Sequence, residues 1–219
     1  MSTYRLHYSP GACSFAVHAL LEEIGAPFEL VERNIRAGGT KSEAYRHINP
    51  KARVPALEHD GEVLTEASAI LVYLAERHPE AGLIGPSASL ARFRALEWLN
   101  YLSSTLHPLY WGVWRAHRLS ADATHHAAIA DTVTRDLAER YAGIEQHLAR
   151  NAYTAGEAMS VADFMQYVFT RWAWRIALPV ESWPHLLAHF ERMDARPGVR
   201  RAFASERLDR VGSVRRATA

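Results

Sequence analysis

Cysteine is almost missing: Cys13 is the single one in 219 residues, so no intramolecular disulfide can form and a secreted disulfide scaffold is excluded. A reducing, cytoplasmic setting is the expectation, and the first eight residues lack the basic and apolar blocks of a signal peptide. Net charge is also nearly absent, at +1, so no broad field points to nucleic acid or to a membrane surface as partner. The basic excess is local, with Arg207, Arg210, Arg215 and Arg216 among small residues, which reads as a solvated tail. No long hydrophobic run exists. The longest stretch free of Asp, Glu, Lys and Arg, Trp98 to Trp114, carries Asn100, Ser103, Ser104, Thr105, His107 and Pro108; it is too polar and short for a bilayer span. Walker A, G-x-G-x-x-G and G-x-S-x-G patterns are lacking too, as are internal repeats. His125-His126 and the i, i+4 pair His185 and His189 have no third ligand in view, so no metal site is expected.

What is present is an ordinary globular balance, 48% apolar against 22% charged residues, enough for two modest domains. Tyr4 to Tyr8 alternates as a strand and breaks at Ser9-Pro10-Gly11. Val17, Leu20, Leu21 and Ile24 then take helical spacing until Gly25, and Phe28 to Val31 is a second strand. A β-α-β unit of this kind implies parallel strands. A loop with a short helix near Glu43 to Arg46 follows. Val54 to Glu58 and Glu62 to Thr65 are strands joined at Asp60-Gly61, and Ile70, Leu71 and Leu74 restore a helix that stops before Pro79. The fold class expected is an α/β thioredoxin-like domain with a mixed four-stranded sheet, followed by an all-α bundle. The expected boundaries are 1–80, a linker over 81–89, a helical domain over 90–205 and a flexible basic tail over 206–219. Helical segments are predicted at Leu90 to His117, Ala123 to Arg150, Val161 to Ala177, Pro184 to Asp194 and Gly198 to Ser205. Pro108 predicts a kink, and Ser160-Val161-Ala162-Asp163 reads as a capping box.

Cys13 falls at the N-terminus of the first helix, where unpaired N–H groups and the helix dipole stabilise a thiolate, so a lowered pKa is expected, and a fall of about two pH units below the usual ~8.5 would make it mostly thiolate at pH 7; position alone leaves open the plain reading as a small buried hydrophobe. Ala16 stands where a redox pair needs its second cysteine, so any thiol chemistry needs an external thiol. Pro55 must sit at an edge or turn of its strand and is a candidate cis residue. Glu66 and Ser68 open a helix, where a substrate carboxylate or ammonium can be met.

Three runs, Tyr8-Ser9-Pro10-Gly11-Ala12-Cys13-Ser14, Asn49 to Leu57 and Leu64 to Ile70, with Glu97 to Tyr101, Leu106-His107 and the Ser160 box, resemble the bacterial beta-class glutathione S-transferases. The resemblance covers nearly the whole chain. It implies a homodimer that uses glutathione as co-substrate, without another cofactor, and conjugates its thiolate to small hydrophobic electrophiles. By resemblance, Cys13 and His107 face the sulfur, with Tyr8 as a further donor. Val54, before Pro55, pairs its backbone with the cysteinyl part; Glu66, Ala67 and Ser68 hold the γ-glutamyl end; Ala12 and Arg53 line the same site. Asn100 reaches the neighbouring subunit's ligand. Two positions depart from the family: Gly38 stands where a basic residue often meets the glycine carboxylate, leaving Arg36, Lys41 or Arg53 to substitute, and Ala67 stands where serine is usual. Both imply weakened glutathione binding. The competing readings are thiol transfer or peroxide reduction through a Cys13 mixed disulfide, and sequestration of apolar ligands in a pocket lined by Trp98, Trp111, Trp114, Trp172 and Trp174.

Overall fold

The computed structural model describes residues 3–209, and these form two compact units. The first runs up to Ile84 and takes in the chain again from Arg192; the second is Gly85–Glu191.

In the first unit, β1 (Tyr4–Tyr8), α1 (Ser14–Ile24) and β2 (Phe28–Glu32) form the β-α-β crossover, with β1 and β2 parallel and Leu6 opposite Leu30. Gly25 ends α1 in the left-handed region, φ 67°, where a side chain would be strained. The short α2 (Glu43–Ile48) is capped by Ser42, whose hydroxyl accepts the Tyr45 N–H. β3 (Ala56–His59) and β4 (Glu62–Thr65) pair antiparallel, and sheet order is β2-β1-β3-β4. Asp60 and Gly61 both have positive φ, 52° and 82°, the backbone that a tight two-residue hairpin demands. β3 starts two residues later than its sequence pattern suggests, because Val54-Pro55 is a cis peptide and proline has no N–H for the ladder. α3 (Ala67–Arg77) buries Ile70, Leu71 and Leu74.

The second unit contains α4 (Leu90–Tyr101), α5 (His107–Trp114), α6 (His126–Leu148) and α7 (Val161–Arg175), and α8 (Pro184–Asp194) runs to its end. The kink expected at Pro108 is a π-helical turn over Leu102–Leu106. Pro108 has no N–H for Ser104 C=O, and the His107 N–H reaches back to Leu102 C=O while the Ser104 hydroxyl turns to Asn100 C=O at 2.7 Å. Inserting one residue in this way satisfies the backbone around a proline. α7 is buried along nearly its whole length. The capping box forms: the Ser160 N–H donates to Asp163 Oδ2 at 2.7 Å, and Ser160 Oγ takes the Ala162 N–H at 3.3 Å.

α9 (Pro197–Ser205) departs from the expected boundaries. Read from the sequence as the close of the helical domain, it packs against α1 in the first unit. Gly198 makes the approach possible. A Cβ there would stand 2.6 Å from the Glu23 backbone N and 2.7 Å from its Cα, and the Gly198 N–H donates to Glu23 Oε2 at 3.0 Å. Arg196 pairs with Glu23, Arg201 pairs with Glu22, and Phe203 meets Phe15 edge to face at 5.5 Å. The flexible tail expected from residue 206 also fails at its first residue: Glu206 is buried, and Leu208 lies 3.4 Å from where a Gly11 Cβ would be. Arg207 is exposed; Arg210, Arg215 and Arg216 lie outside the described residues.

Candidate functional site

The loop from Ser9 to Cys13 joins β1 to α1 and is held from several directions. Ser9 C=O accepts the Ala12 N–H at 3.0 Å. The Ser9 N–H donates to Ser14 Oγ at 3.2 Å, and Ser9 Oγ takes the Ile35 N–H at 3.2 Å. Gly11, at φ 68°, turns its N–H to the buried Glu206 Oε2 at 2.8 Å; Glu206 Oε1 lies 2.9 Å from Nδ1 of the fully buried His18. No periodicity marks Glu206 as important. The signal in its sequence is an acidic residue, one of two with Asp209, standing in a basic stretch.

Cys13 is therefore fixed at the cap of α1, half-buried, with its thiol donating to Val54 C=O at 3.5 Å. The expected fall of its pKa does not occur. Burial pushes the thiol up to about 11, the Glu66 carboxylate adds to the rise, and the backbone N–H groups of Cys13 and Ser14, with Arg53, offset only part of it. Desolvation of a small thiolate outweighs the helix N-terminus here. At pH 7 the neutral thiol form therefore dominates, and that thiol is the donor to Val54 C=O. Alkylation by iodoacetamide at pH 7.5 is expected to run at least tenfold slower than that of a free thiol of ordinary pKa ~8.5, and to accelerate up to pH 10. A rate equal to that of free cysteine at pH 7.5 would contradict this assignment.

Beside Cys13 lies the segment 49–55. Ala52 has positive φ, 54°, and Val54-Pro55 is cis. The Val54 N–H has no hydrogen-bond partner among the described residues. Glu66 precedes α3 at φ 72°, a region that costs a non-glycine residue of order 1 kcal/mol or more, and Lys51 Nζ donates to both Glu66 Oε1 and Thr65 Oγ1 at 2.9 Å. Ala67 is buried and Ser68 half-buried. Ala12 packs against Val54 and Tyr45. A half-buried thiol, an unpaired backbone N–H and an exposed carboxylate thus lie along one edge, an arrangement suited to an extended peptide that carries a thiol and an ammonium.

Two family models match the chain. The model of the glutathione S-transferase N-terminal domain matches residues 2–76, and that of the C-terminal domain residues 113–197. Glutathione S-transferase GstA of Escherichia coli O157:H7 is 34% identical over 206 residues, 93% of this chain and 99% of that protein. The chain belongs to the glutathione S-transferase family. Among solved structures, a glutathione transferase homolog from Sulfitobacter with bound glutathione is 29% identical at a TM-score of 0.88, covering 95% of this chain and 100% of the other. A bacterial beta class glutathione S-transferase from Sphingomonas chungbukensis is 31% identical at a TM-score of 0.81, covering 92% of this chain and 98% of the other.

Within this glutathione S-transferase the remaining expected site residues are placed as follows. Tyr8 is buried, 6.0 Å from the His18 ring, and burial raises its phenol pKa, with Glu32 and Glu206 adding to the rise. Arg53 is exposed. Arg36 and Lys41 are exposed on the loop around Gly38, which sits at φ 77°. In the second unit, Asn100 is exposed on α4. His107 opens α5 among aromatic rings, 5.5 Å from Phe169 and 5.4 Å from Trp172. The five tryptophans do not share one place. Trp111, Trp114 and Trp172 belong to the aromatic cluster with His107, Tyr110 and Phe169. Trp98 packs on His147 at 4.5 Å, and Trp174 packs on Phe190 while its indole N–H donates to Glu181. Among the described residues no group of three or more potential metal ligands occurs, and no helix is long and apolar enough to cross a membrane. His185 bonds Glu145, and His189 bonds Asp163.

Proposed function

We propose that the first unit binds glutathione along Val54 and beside Cys13, and that the enzyme joins the glutathione sulfur to small hydrophobic electrophiles. The observation that carries this reading is the edge formed by the unpaired Val54 N–H, the Cys13 thiol on Val54 C=O, and the Glu66 carboxylate. The Val54 N–H takes the cysteinyl carbonyl of the tripeptide. Glu66 takes the γ-glutamyl ammonium, with the backbone N–H groups that open α3 at Ala67 and Ser68 near its carboxylate. Arg53, Arg36 or Lys41 meets the glycine carboxylate.

Chemistry follows from the raised Cys13 pKa. A neutral Sγ–H that turns from Val54 C=O to the glutathione sulfur stabilises the thiolate form and orients it. The glutathione thiol gives its proton to water, the thiolate lone pair attacks the electrophilic carbon, the C–S bond forms, and the leaving group departs with its electron pair. His107, set among aromatic rings, supplies a donor or proton acceptor in the unit that holds the apolar reactant. A neutral thiol is a poor attacker of disulfides, which weighs against thiol transfer through Cys13. We infer further that the protein works as a cytoplasmic homodimer, with Asn100 directed to the partner's ligand.

Calorimetric titration of glutathione, with turnover of an activated aryl halide followed on the same sample, tests the reading. Binding in the micromolar to millimolar range with turnover is expected, and Cys13→Ala should retain both within about tenfold, the worth of one hydrogen bond. Absence of glutathione binding overturns it.

A further inference from the structure

The peptide that presents the Val54 N–H is itself clamped from behind. The Arg53-Val54 bond is trans, since Val54-Pro55 is the cis bond here, so its C=O and N–H point in opposite directions. On the rear side, Arg53 C=O accepts from Tyr45 Oη at 2.6 Å and from Asn49 Nδ2 at 2.8 Å. Tyr45 is 0% and Asn49 1% exposed. On the front side stands the N–H without a partner. Two buried donors on one loop carbonyl are more than hydrogen-bond satisfaction requires, and their combined effect is to fix the plane of one peptide.

We propose that Tyr45 and Asn49 are positioning residues that aim the Val54 N–H at the cysteinyl carbonyl of glutathione; this rests on the reading of Val54 given above. Each is anchored independently of that carbonyl. The Tyr45 ring lies under the Arg33 guanidinium, 5.1 Å from its centroid, and 5.4 Å from the His7 ring, and packs with Val54 and Ala56. Removing only its hydroxyl leaves these contacts in place. Asn49 is tied by its own N–H to Tyr45 C=O at 2.8 Å and by Oδ1 to the Lys51 N–H at 3.1 Å. The clamp therefore turns the rigidity of α2 into the direction of one N–H. A fixed donor is worth more to a ligand than one that must be ordered on binding. The interaction is made alike by bound glutathione and by the transition state, so its loss appears in KM and not in kcat.

The test is titration of glutathione into wild type, Tyr45→Phe and Asn49→Asp, with steady-state kinetics in each substrate and a thermal melt. Asn49→Asp keeps the acceptor for the Lys51 N–H and sets a carboxylate oxygen against Arg53 C=O. For Tyr45→Phe, Kd and KM for glutathione should rise about three- to tenfold. The kcat at saturating glutathione and the KM for the aryl halide should stay within about twofold, and the melting midpoint within about 3 °C. Asn49→Asp should shift glutathione affinity further in the same direction. If wild type binds glutathione and Tyr45→Phe binds it equally well, the clamp is refuted and the site stands. A joint change in both KM values and in the melting point refutes it too, since that is a general loss of structure. Failure of wild type to bind glutathione overturns the underlying site.

Discussion

Asp163→Ala is expected to cost about 3–5 kcal/mol of stability, the range for removing one partner of a buried, hydrogen-bonded ionic group. The Asp163 carboxylate is wholly buried at the start of α7 and accepts from the Ser160 N–H and the Thr154 N–H, each at 2.7 Å, with Ser160 Oγ at 3.3 Å and His189 Nε2 at 2.8 Å beside it. Taking the carboxylate away leaves two backbone donors without that acceptor, at about 1–3 kcal/mol each, and leaves a buried imidazole, whose Nδ1 already has no partner, with Thr154 Oγ1 at 3.4 Å in place of the carboxylate. Burial alone would raise the Asp163 pKa, but the His189 contact and the two backbone N–H groups hold it below its ordinary value. Because the folded pKa lies below the unfolded one, this stability is fully present above the unfolded value of ~3.9 and is lost as pH falls through the folded value. Urea unfolding at pH 7 and pH 3.5 checks it. A large gap between wild type and Asp163→Asn at pH 7 that narrows at pH 3.5 is expected, and a gap independent of pH would contradict the role of the charge.

Glu206→Ala should cost about 2–4 kcal/mol and weaken the use of glutathione in the same variant. Its side chain is fully buried and joins the C-terminal segment to the Gly11 N–H and His18. Alanine removes the hydrogen bonds that the carboxylate makes to both, again at about 1–3 kcal/mol each. Gly11 lies two residues before Cys13, so the loop that carries the thiol loses one of its supports from outside. KM for glutathione is expected to rise several-fold in molecules that remain folded, and Glu206→Gln, which keeps an acceptor for the Gly11 N–H, should restore most of it. Equal KM values in wild type and Glu206→Ala would show that the loop holds its shape without the Glu206 contact.

How much was legible in the sequence follows from how local each signal is. β1, α1, β4 and α8 lie where spacing and punctuation put them, because Gly25, Asp60-Gly61 and the prolines act on their own neighbours. Motif resemblance names the candidate positions but not their electrostatics. The Cys13 pKa depends on burial and on Glu66, brought in from far along the chain, whereas the helix N-terminus that suggests a lower value is a local feature. The Tyr45 and Asn49 donors are hidden for the same reason: their shared acceptor is a backbone carbonyl, which no side-chain pattern reveals. Asp163 was legible as a cap, but not its contacts with Thr154 and His189, and the five tryptophans read as one lining because helical spacing does not say which helix each faces.

The position of α9 has a consequence for how the protein is made. The surface of α1 that meets Phe203 and Gly198 stays uncovered on the ribosome until nearly the last residue of the described chain has left the exit tunnel. The first unit, although its sheet and three helices are translated first, completes its core last. A fragment ending at residue 84 therefore displays apolar side chains such as Phe15 to water, and a nascent chain stalled before α9 is a natural client for chaperones.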